Sequence, residues 1–261
     1  MLGLAAGHLD LHGANCSSQA LSHRVKAIRA LNTALTNPPA STADADARFA
    51  ALFALVFQAS CMPDGMTEFL AMTKGCHIIY HTSMLTMDDS LFGSFARESY
   101  ADSVRRLIGA PPLVLDAEQE LMIRRFLRSL RALGPLCKSP LEVGFLAATE
   151  RIAKTAAISA ARAFAEIIDQ YRLLNHATTE DFAPFVDPRN HAVQLLLIHF
   201  VLIEFAIGCM CLGSAGSRFA FRRRTCIAWT DQLAAGLPAK YRKYAEWPMD
   251  FVGKLDELVP G

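Results

Sequence analysis

The chain has 261 residues, of which 52% are hydrophobic and 20% are charged, and its formal net charge is +1. This length fits one large domain or two small ones, and the near-zero charge argues against a bulk electrostatic attraction to nucleic acid or anionic membranes. A mean hydropathy of +0.23 predicts a large core or an internal apolar cavity.

Helical periodicity predicts five helices in the first part of the chain: Met1–Gly13, Ser18–Thr36, Asp44–Cys61, Met66–Leu85 and Asp88–Ile108. The second helix has apolar residues at steps of three and four, which places on its inner face Leu21, Val25, Ile28, Leu31 and Leu35. Pro63-Asp64-Gly65 predicts a turn before the fourth helix.

Capping residues predict the next helices. Asp116 and Gln119 have the spacing of a capping box, and the helix they open has an apolar face of Met122, Phe126, Leu130 and Leu133. Ser139-Pro140-Leu141-Glu142 is a stronger helix start. The helix that follows extends to Leu174, with a break inside Thr149–Ala157 as the alternative. Thr178–Arg189 contains two prolines and is predicted to be a loop.

The most apolar stretch is Val193–Leu212, which only Gln194, His199 and Glu204 interrupt. A helix that is apolar on all sides either spans a membrane or forms the centre of a core, and this one is long enough to span. An ionisable group in mid-span costs about 2.5–3.5 kcal/mol, so we predict a core helix and no membrane span.

The remaining residues predict a basic connection over Arg218–Arg224, short helices over Thr225–Ala235 and Ala239–Glu246, and a last helix from Trp247 to near Leu258. No stretch alternates with the period of a strand. We therefore predict an all-α fold: one domain over residues 1–261, with nine or ten helices around a central apolar helix and an internal hydrophobic pocket.

The seven cysteines form no C-x-x-C pair and stand mostly in apolar contexts. This predicts reduced, buried thiols and therefore an intracellular, cytoplasmic protein. The first residues lack the basic region of a signal peptide.

Five segments resemble the regulatory domain of fungal zinc-cluster transcription factors, in the branch of the sterol uptake control proteins. They are HLDLH at 8–12, HRVKAIRALNTAL at 23–35, FQASCMPDGMTEFLAMTKGC at 57–76, NHAVQLLLIHFVLIEF at 190–205 and YRKYAEWP at 241–248. The resemblance implies an α-helical domain whose hydrophobic pocket takes a sterol, and whose occupancy controls whether the factor is cytoplasmic or nuclear.

The chain lacks the six closely spaced cysteines of that family's DNA-binding domain. We therefore expect no direct binding to nucleic acid. Two alternatives stay open: a fragment of a regulator, or a free-standing protein that kept the pocket. A homodimer is open as well.

Few residues have the type and spacing of metal ligands. His77 and His81 have the spacing of a metal-binding pair, but without a third ligand we favour a polar pair. Asp88-Asp89 is interpreted as an acidic pair at a helix start, not as a Mg²⁺ site. No metal and no cofactor are predicted.

The expected ligand is an apolar molecule, a sterol or a terpenoid. Methionines near the 63–65 turn suit an adaptable pocket, and the polar interruptions of the central helix suit a ligand hydroxyl. The predicted ligand-binding residues are Phe57, Met62, Met66, Phe69, His77, His199, Phe200, Ile203 and Glu204. The first functional hypothesis is a ligand-binding regulatory domain. The alternative is an enzyme on the same scaffold that cyclises a terpenoid or polyketide or promotes a pericyclic step, with no catalytic residue identified.

Overall fold

The computed structural model describes residues 1–11, 13–84, 89–93, 117–212 and 221–255. These residues form twelve α-helices and no strands, which confirms the predicted all-α class. The chain divides into two compact units, residues 1–102 and 103–261, which are described separately. The extent of the predicted domain, residues 1–261, stays a prediction.

The first unit contains four helices: α1 (Leu2–Leu11), α2 (Ser17–Ala34), α3 (Thr42–Ser60) and α4 (Met66–Ile79). A short π-helix, Tyr80–Met84, continues from α4. Helix α3 packs against α1, α2 and α4. The core between them consists of Leu31, Ala45, Phe49, Leu52, Leu55, Ile79, Tyr80 and Met84.

The predicted inner face of α2 is partly wrong. Leu21 is 56% exposed, whereas Arg24 is only 2% exposed. The guanidinium of Arg24 donates to the carbonyl of Leu55 at 3.1 Å and forms a salt bridge of 2.8 Å with Glu68. A buried charge needs such partners, and these bonds rotate α2 so that its arginine faces the core.

The second unit contains eight helices: α5 (Ala117–Arg131), α6 (Pro140–Ala156), α7 (Ala160–His176), α8 (Thr179–Phe185), α9 (His191–Leu212), α10 (Phe221–Ala235), α11 (Ala239–Arg242) and α12 (Glu246–Gly253). A 3₁₀-helix, Gly134–Leu136, lies between α5 and α6.

Helix α9 is the predicted central helix, and it packs against α5, α6, α7, α10 and α12. Within the described residues it is the one helix long and apolar enough to cross a membrane, and 72% of its most apolar window is buried inside the protein. The helix therefore forms the centre of the second unit's core, as its apolar surface on all sides predicts.

Two serines cap the N-termini of α6 and α7. The hydroxyl of Ser139 accepts from the backbone N–H of Glu142, and the Glu142 carboxylate accepts from the backbone N–H of Ser139, which confirms the predicted capping box. Helix α6 ends at Ala156, and Ser159 caps α7 by accepting from the N–H of Arg162. The alternative of two helices is therefore confirmed, with the break at residues 157–159, which overlaps the end of the predicted range.

The loop predicted over Thr178–Arg189 is wrong, because residues 179–185 form α8. Thr178 accepts from the N–H of Asp181 and caps this helix, and burial of Phe182 and Phe185 fixes it to the core. The prolines did not prevent a short helix.

The basic connection is also partly wrong, since α10 begins at Phe221 and contains Arg222, Arg223 and Arg224.

Other predictions fall largely outside the described residues. These are most of the helix over Asp88–Ile108, the Asp116 cap and the position of Arg218. Residues 89–92 do not form the predicted α-helix, and residues 89, 91 and 92 lie in turns. There the carboxylate of Asp46 accepts from the hydroxyl of Ser90 at 2.6 Å and from the N–H of Leu91 at 3.0 Å.

Candidate functional site

An apolar cleft of about 470 Å³ lies in the second unit between α5, α9 and α12. Its walls are Glu118, Gln119, Met122, Ile123, Phe126, Ala156, Leu202, Ile203, Phe205, Ala206, Ile207, Cys209, Met210, Trp247, Phe251 and Leu255. The volume is within the range of about 300–1,000 Å³ that is typical of small-molecule sites.

Helical periodicity explains why these side chains meet. Residues three and four apart share a face of a helix, so Leu202, Ala206 and Met210 form a stripe along α9. Trp247 and Phe251 do the same on α12. Each helix therefore presents one apolar stripe to the cleft.

Aromatic rings form one wall of the cleft. Trp247 and Phe251 stack with their ring centroids 5.5 Å apart and their planes 15° from parallel. Phe126 of α5 meets Trp247 edge-on, with a centroid distance of 5.8 Å. Such pairs stabilise each other beyond the area they bury, so the wall is largely preformed.

The polar groups of the cleft are few. Glu118 and Gln119, in the first turn of α5, are exposed and are the only charged or amide side chains among the lining residues that the structure describes. Burial raises the pKa of the Cys209 thiol, so this thiol is neutral near pH 7. The cleft is therefore apolar along its length, with its polar side chains at the start of α5.

His199 lies next to the cleft but does not line it. Its ring packs edge-on against Phe126 at a centroid distance of 5.7 Å. Nδ1 lies 2.8 Å from the carbonyl oxygen of Leu195, and Nε2 lies 2.9 Å from the hydroxyl oxygen of Ser129. Because a carbonyl only accepts, Nδ1 carries the proton and Nε2 accepts from Ser129.

Burial lowers the pKa of His199 to about 4. The ring is therefore neutral near pH 7, in agreement with the tautomer that its two hydrogen bonds require. Its bonds join α9 to α5, and its packing supports one wall of the cleft.

Glu204 projects from the opposite side of α9. Its carboxylate accepts a hydrogen bond of 3.3 Å from the hydroxyl of Tyr171 and lies 3.8 Å from the guanidinium of Arg222. Burial raises the pKa of Glu204, although Arg222 and Tyr171 oppose this shift. Burial and the neighbouring carboxylate raise the pKa of Tyr171 well above its usual value.

Gly208 makes the approach of Arg222 possible. A Cβ atom at this position would lie 2.4 Å from Nη1 of Arg222. The glycine, one turn after Glu204, therefore leaves the space that the guanidinium occupies beside α9. The polar cluster of Tyr171, Glu204 and Arg222 joins α7, α9 and α10.

The nine predicted ligand-binding residues are divided between the two units. In the first unit, Phe57 is 47% exposed and Met66 is buried, while Met62, Phe69 and His77 are half-buried. In the second unit, only Ile203 lines the cleft.

Phe200 is fully buried and packs against Phe145 and Tyr171, away from the cleft. The assignment of ligand-binding roles to these nine residues stays a prediction.

Several cleft residues were absent from the predicted set, although the sequence held signals for them. Met122 and Phe126 were predicted on the apolar face of their helix, and Trp247 lies in the closing segment of the family resemblance. Periodicity identifies such faces, but it does not tell which of them border empty space instead of packing fully.

The residues considered for metal binding form no complete site. The rings of His77 and His81 lie 4.2 Å apart. Within the described part of the chain, no group of three or more His, Cys, Asp or Glu side chains is arranged to hold a metal ion. Asp88 lies outside the described residues.

Comparisons with known proteins add nothing to this geometry, because no family model, no curated protein and no solved structure matches the chain. The functional argument therefore depends on the cleft itself.

Proposed function

We propose that the second unit binds an apolar small molecule of sterol or terpenoid type in the cleft between α5, α9 and α12. The observation that supports this proposal is a volume of about 470 Å³ enclosed almost entirely by aliphatic and aromatic side chains. Concave, apolar sites with a few polar groups are the usual binding sites for such molecules.

The chemistry of the lining favours the binding of an apolar ligand. Removing apolar ligand surface from water is favourable by about 25 cal/mol per Å². Met122 and Met210 add flexible, polarisable side chains that adapt to an irregular ligand shape. Rigid fused rings or a folded polyene would lose little conformational freedom in such a site.

The regulatory role of this binding is the part of the proposal that depends on the resemblance to fungal sterol regulators. Helices α5, α9 and α12 all contribute to the cleft, so a ligand would stabilise their mutual packing. A molecule that binds one arrangement of helices more tightly than another shifts the population towards it. In this way, ligand occupancy would become a signal.

Two tryptophans provide a direct test. Trp247 lines the cleft, whereas Trp229 of α10 is buried and is not part of the lining. Dehydroergosterol is titrated into the protein while energy transfer from tryptophan to the sterol is measured. Saturable transfer is expected, and Trp247→Phe should reduce it more than Trp229→Phe does because Trp247 lines the cleft. No saturable transfer from either tryptophan contradicts the proposal.

A second variant pair tests the location without changing a tryptophan. Ala206→Phe places a ring inside the cleft, and Ala234→Phe adds the same ring to a half-buried position on α10 outside the lining. We expect Ala206→Phe to weaken binding at least tenfold, or about 1.4 kcal/mol. Equal affinity in both variants, with both folded by circular dichroism, would exclude the cleft as the site. Recovering the sterol unchanged after incubation supports a binding role over the enzymatic alternative.

A further inference from the structure

We infer that the molecule held in the cleft carries a hydrogen-bond-donating head group, a hydroxyl or an ammonium, and that Glu118 binds it at the start of α5. This inference rests on the proposed function and specifies its ligand. It predicts discrimination against carboxylic acids of the same apolar shape.

The distribution of polar atoms in the cleft is the first argument. Of the sixteen described side chains in the lining, only Glu118 is charged, and it is adjacent to Gln119. Among the other described side chains of the wall none is a strong hydrogen-bond acceptor, since the indole N–H of Trp247 only donates and the Cys209 thiol is a weak partner. A ligand with one hydrogen-bond-donating end therefore has one favourable orientation, with that end towards α5.

The chemistry of Glu118 sets the type of head group. An ionised carboxylate only accepts hydrogen bonds, so it pairs with a hydroxyl or an ammonium and repels another carboxylate. Glu118 is exposed at the start of α5, so water and salt screen part of both effects.

The two glutamates of the first turn of α5 differ in their partners. Glu120 forms a salt bridge of 3.4 Å with Arg124, one turn further along the helix. Among the described residues, Glu118 has no salt bridge. Both carboxylates interact with the helix dipole alike, so that interaction does not explain why one of them borders the cleft without a cationic partner.

Three ligands with the same hydrocarbon body, farnesol, farnesylamine and farnesoic acid, are competed against dehydroergosterol on the whole chain. We expect the alcohol and the amine to bind at least tenfold more tightly than the acid at pH 7. If the ammonium is the better head group, its advantage falls with added salt. If the hydroxyl is the better one, the affinity for the alcohol should change little with added salt.

Variants of the two glutamates test whether Glu118 causes the discrimination between head groups. Glu118→Gln should bring the affinities for the amine and the acid to within about threefold of each other, and Glu118→Lys should make the acid bind most tightly of the three. Glu120→Gln should retain the wild-type ranking. Equal affinities for the three head groups in the wild type, or the same change in Glu118→Gln and Glu120→Gln, overturn the inference while the cleft remains a binding site. No displacement of the sterol by any ligand, with no saturable sterol binding, overturns the proposed function instead.

Discussion

His199 should make the stability of the protein depend on pH between about 4 and 6.5. In the folded protein its ring is completely buried and its pKa is about 4, whereas an unfolded histidine has a pKa of about 6.5. Between these values the unfolded state binds a proton that the folded state does not. Stability is therefore fully present above pH 6.5 and is lost as the pH falls towards 4.

The difference between the folded and unfolded pKa values of His199 gives the size of the loss of stability. One pKa unit corresponds to about 1.4 kcal/mol, so the complete contribution is roughly 3 kcal/mol. Between pH 7.5 and pH 5, His199 should account for a loss of roughly 2 kcal/mol in the free energy of unfolding. This is a substantial part of the ~5–15 kcal/mol that usually stabilises a folded protein.

The measurement compares the wild type with His199→Leu, which cannot titrate. Urea unfolding at a series of pH values gives the difference in stability between the two proteins, and this difference should change by roughly 2 kcal/mol over the interval. Phe200→Leu, a change at the next fully buried position of α9, is the control whose difference should not vary with pH. A constant difference for His199→Leu would refute the assignment of a buried, neutral histidine. Ligand titration of the same variant tests the sequence-based prediction that His199 contributes to binding.

Two further predictions concern other polar groups that join helices. Arg24→Met should lower the free energy of unfolding by roughly 1–3 kcal/mol because it removes the buried partner of the Leu55 carbonyl and of Glu68. The exposed Arg29→Met on the same helix should change it by less than about 0.5 kcal/mol, and equal effects would contradict the role of Arg24. Gly208→Ala should displace Arg222 and therefore raise the pKa of Glu204 further, as measured by carboxyl NMR titration. Gly144→Ala on α6, where a new Cβ would meet only Leu173 at 3.7 Å, should leave that pKa unchanged, and a similar shift in both variants would contradict the argument.

Much of the fold follows from local signals in the sequence. The capping box at Ser139 predicted the start of α6 because its residues satisfy each other's backbone groups without help from the rest of the protein. The central position of α9 followed from its apolar surface on all sides. Helix α8 was missed because its stability comes from the burial of Phe182 and Phe185 against other helices. The sequence of Thr178–Arg189 contains both residues but does not show that they are buried.

The orientation of α2 shows a second limit. Five apolar residues at helical spacing predicted its inner face, yet Arg24 is buried there and Leu21 is exposed. The partners that make this arrangement favourable, Leu55 and Glu68, belong to α3 and α4. A pattern of hydrophobicity does not contain such distant hydrogen bonds, although they determine which way a helix faces.

The cleft was harder to predict than the helices that enclose it. Its apolar side chains resemble ordinary core residues in sequence, and the polar interruptions of α9 were the more conspicuous positions. The structure places Glu204 on the side away from the cleft and His199 behind Phe126. Periodicity identifies the apolar faces of these helices, but it does not show which faces border the empty space of the cleft.

The two polar residues of α9 explain how so apolar a helix keeps a single position in its unit. Hydrophobic contacts have little directional preference, so a helix without polar groups slides or rotates against its neighbours at small cost. His199 bonds to Ser129 of α5, and Glu204 bonds to Tyr171 of α7 and pairs with Arg222 of α10. A shift of one residue would leave the buried ring of His199 unpaired, at about 1–3 kcal/mol, and would also break the pairing of the half-buried Glu204. The polar residues therefore fix the register of α9, and that register aligns Leu202, Ala206 and Met210 along the cleft.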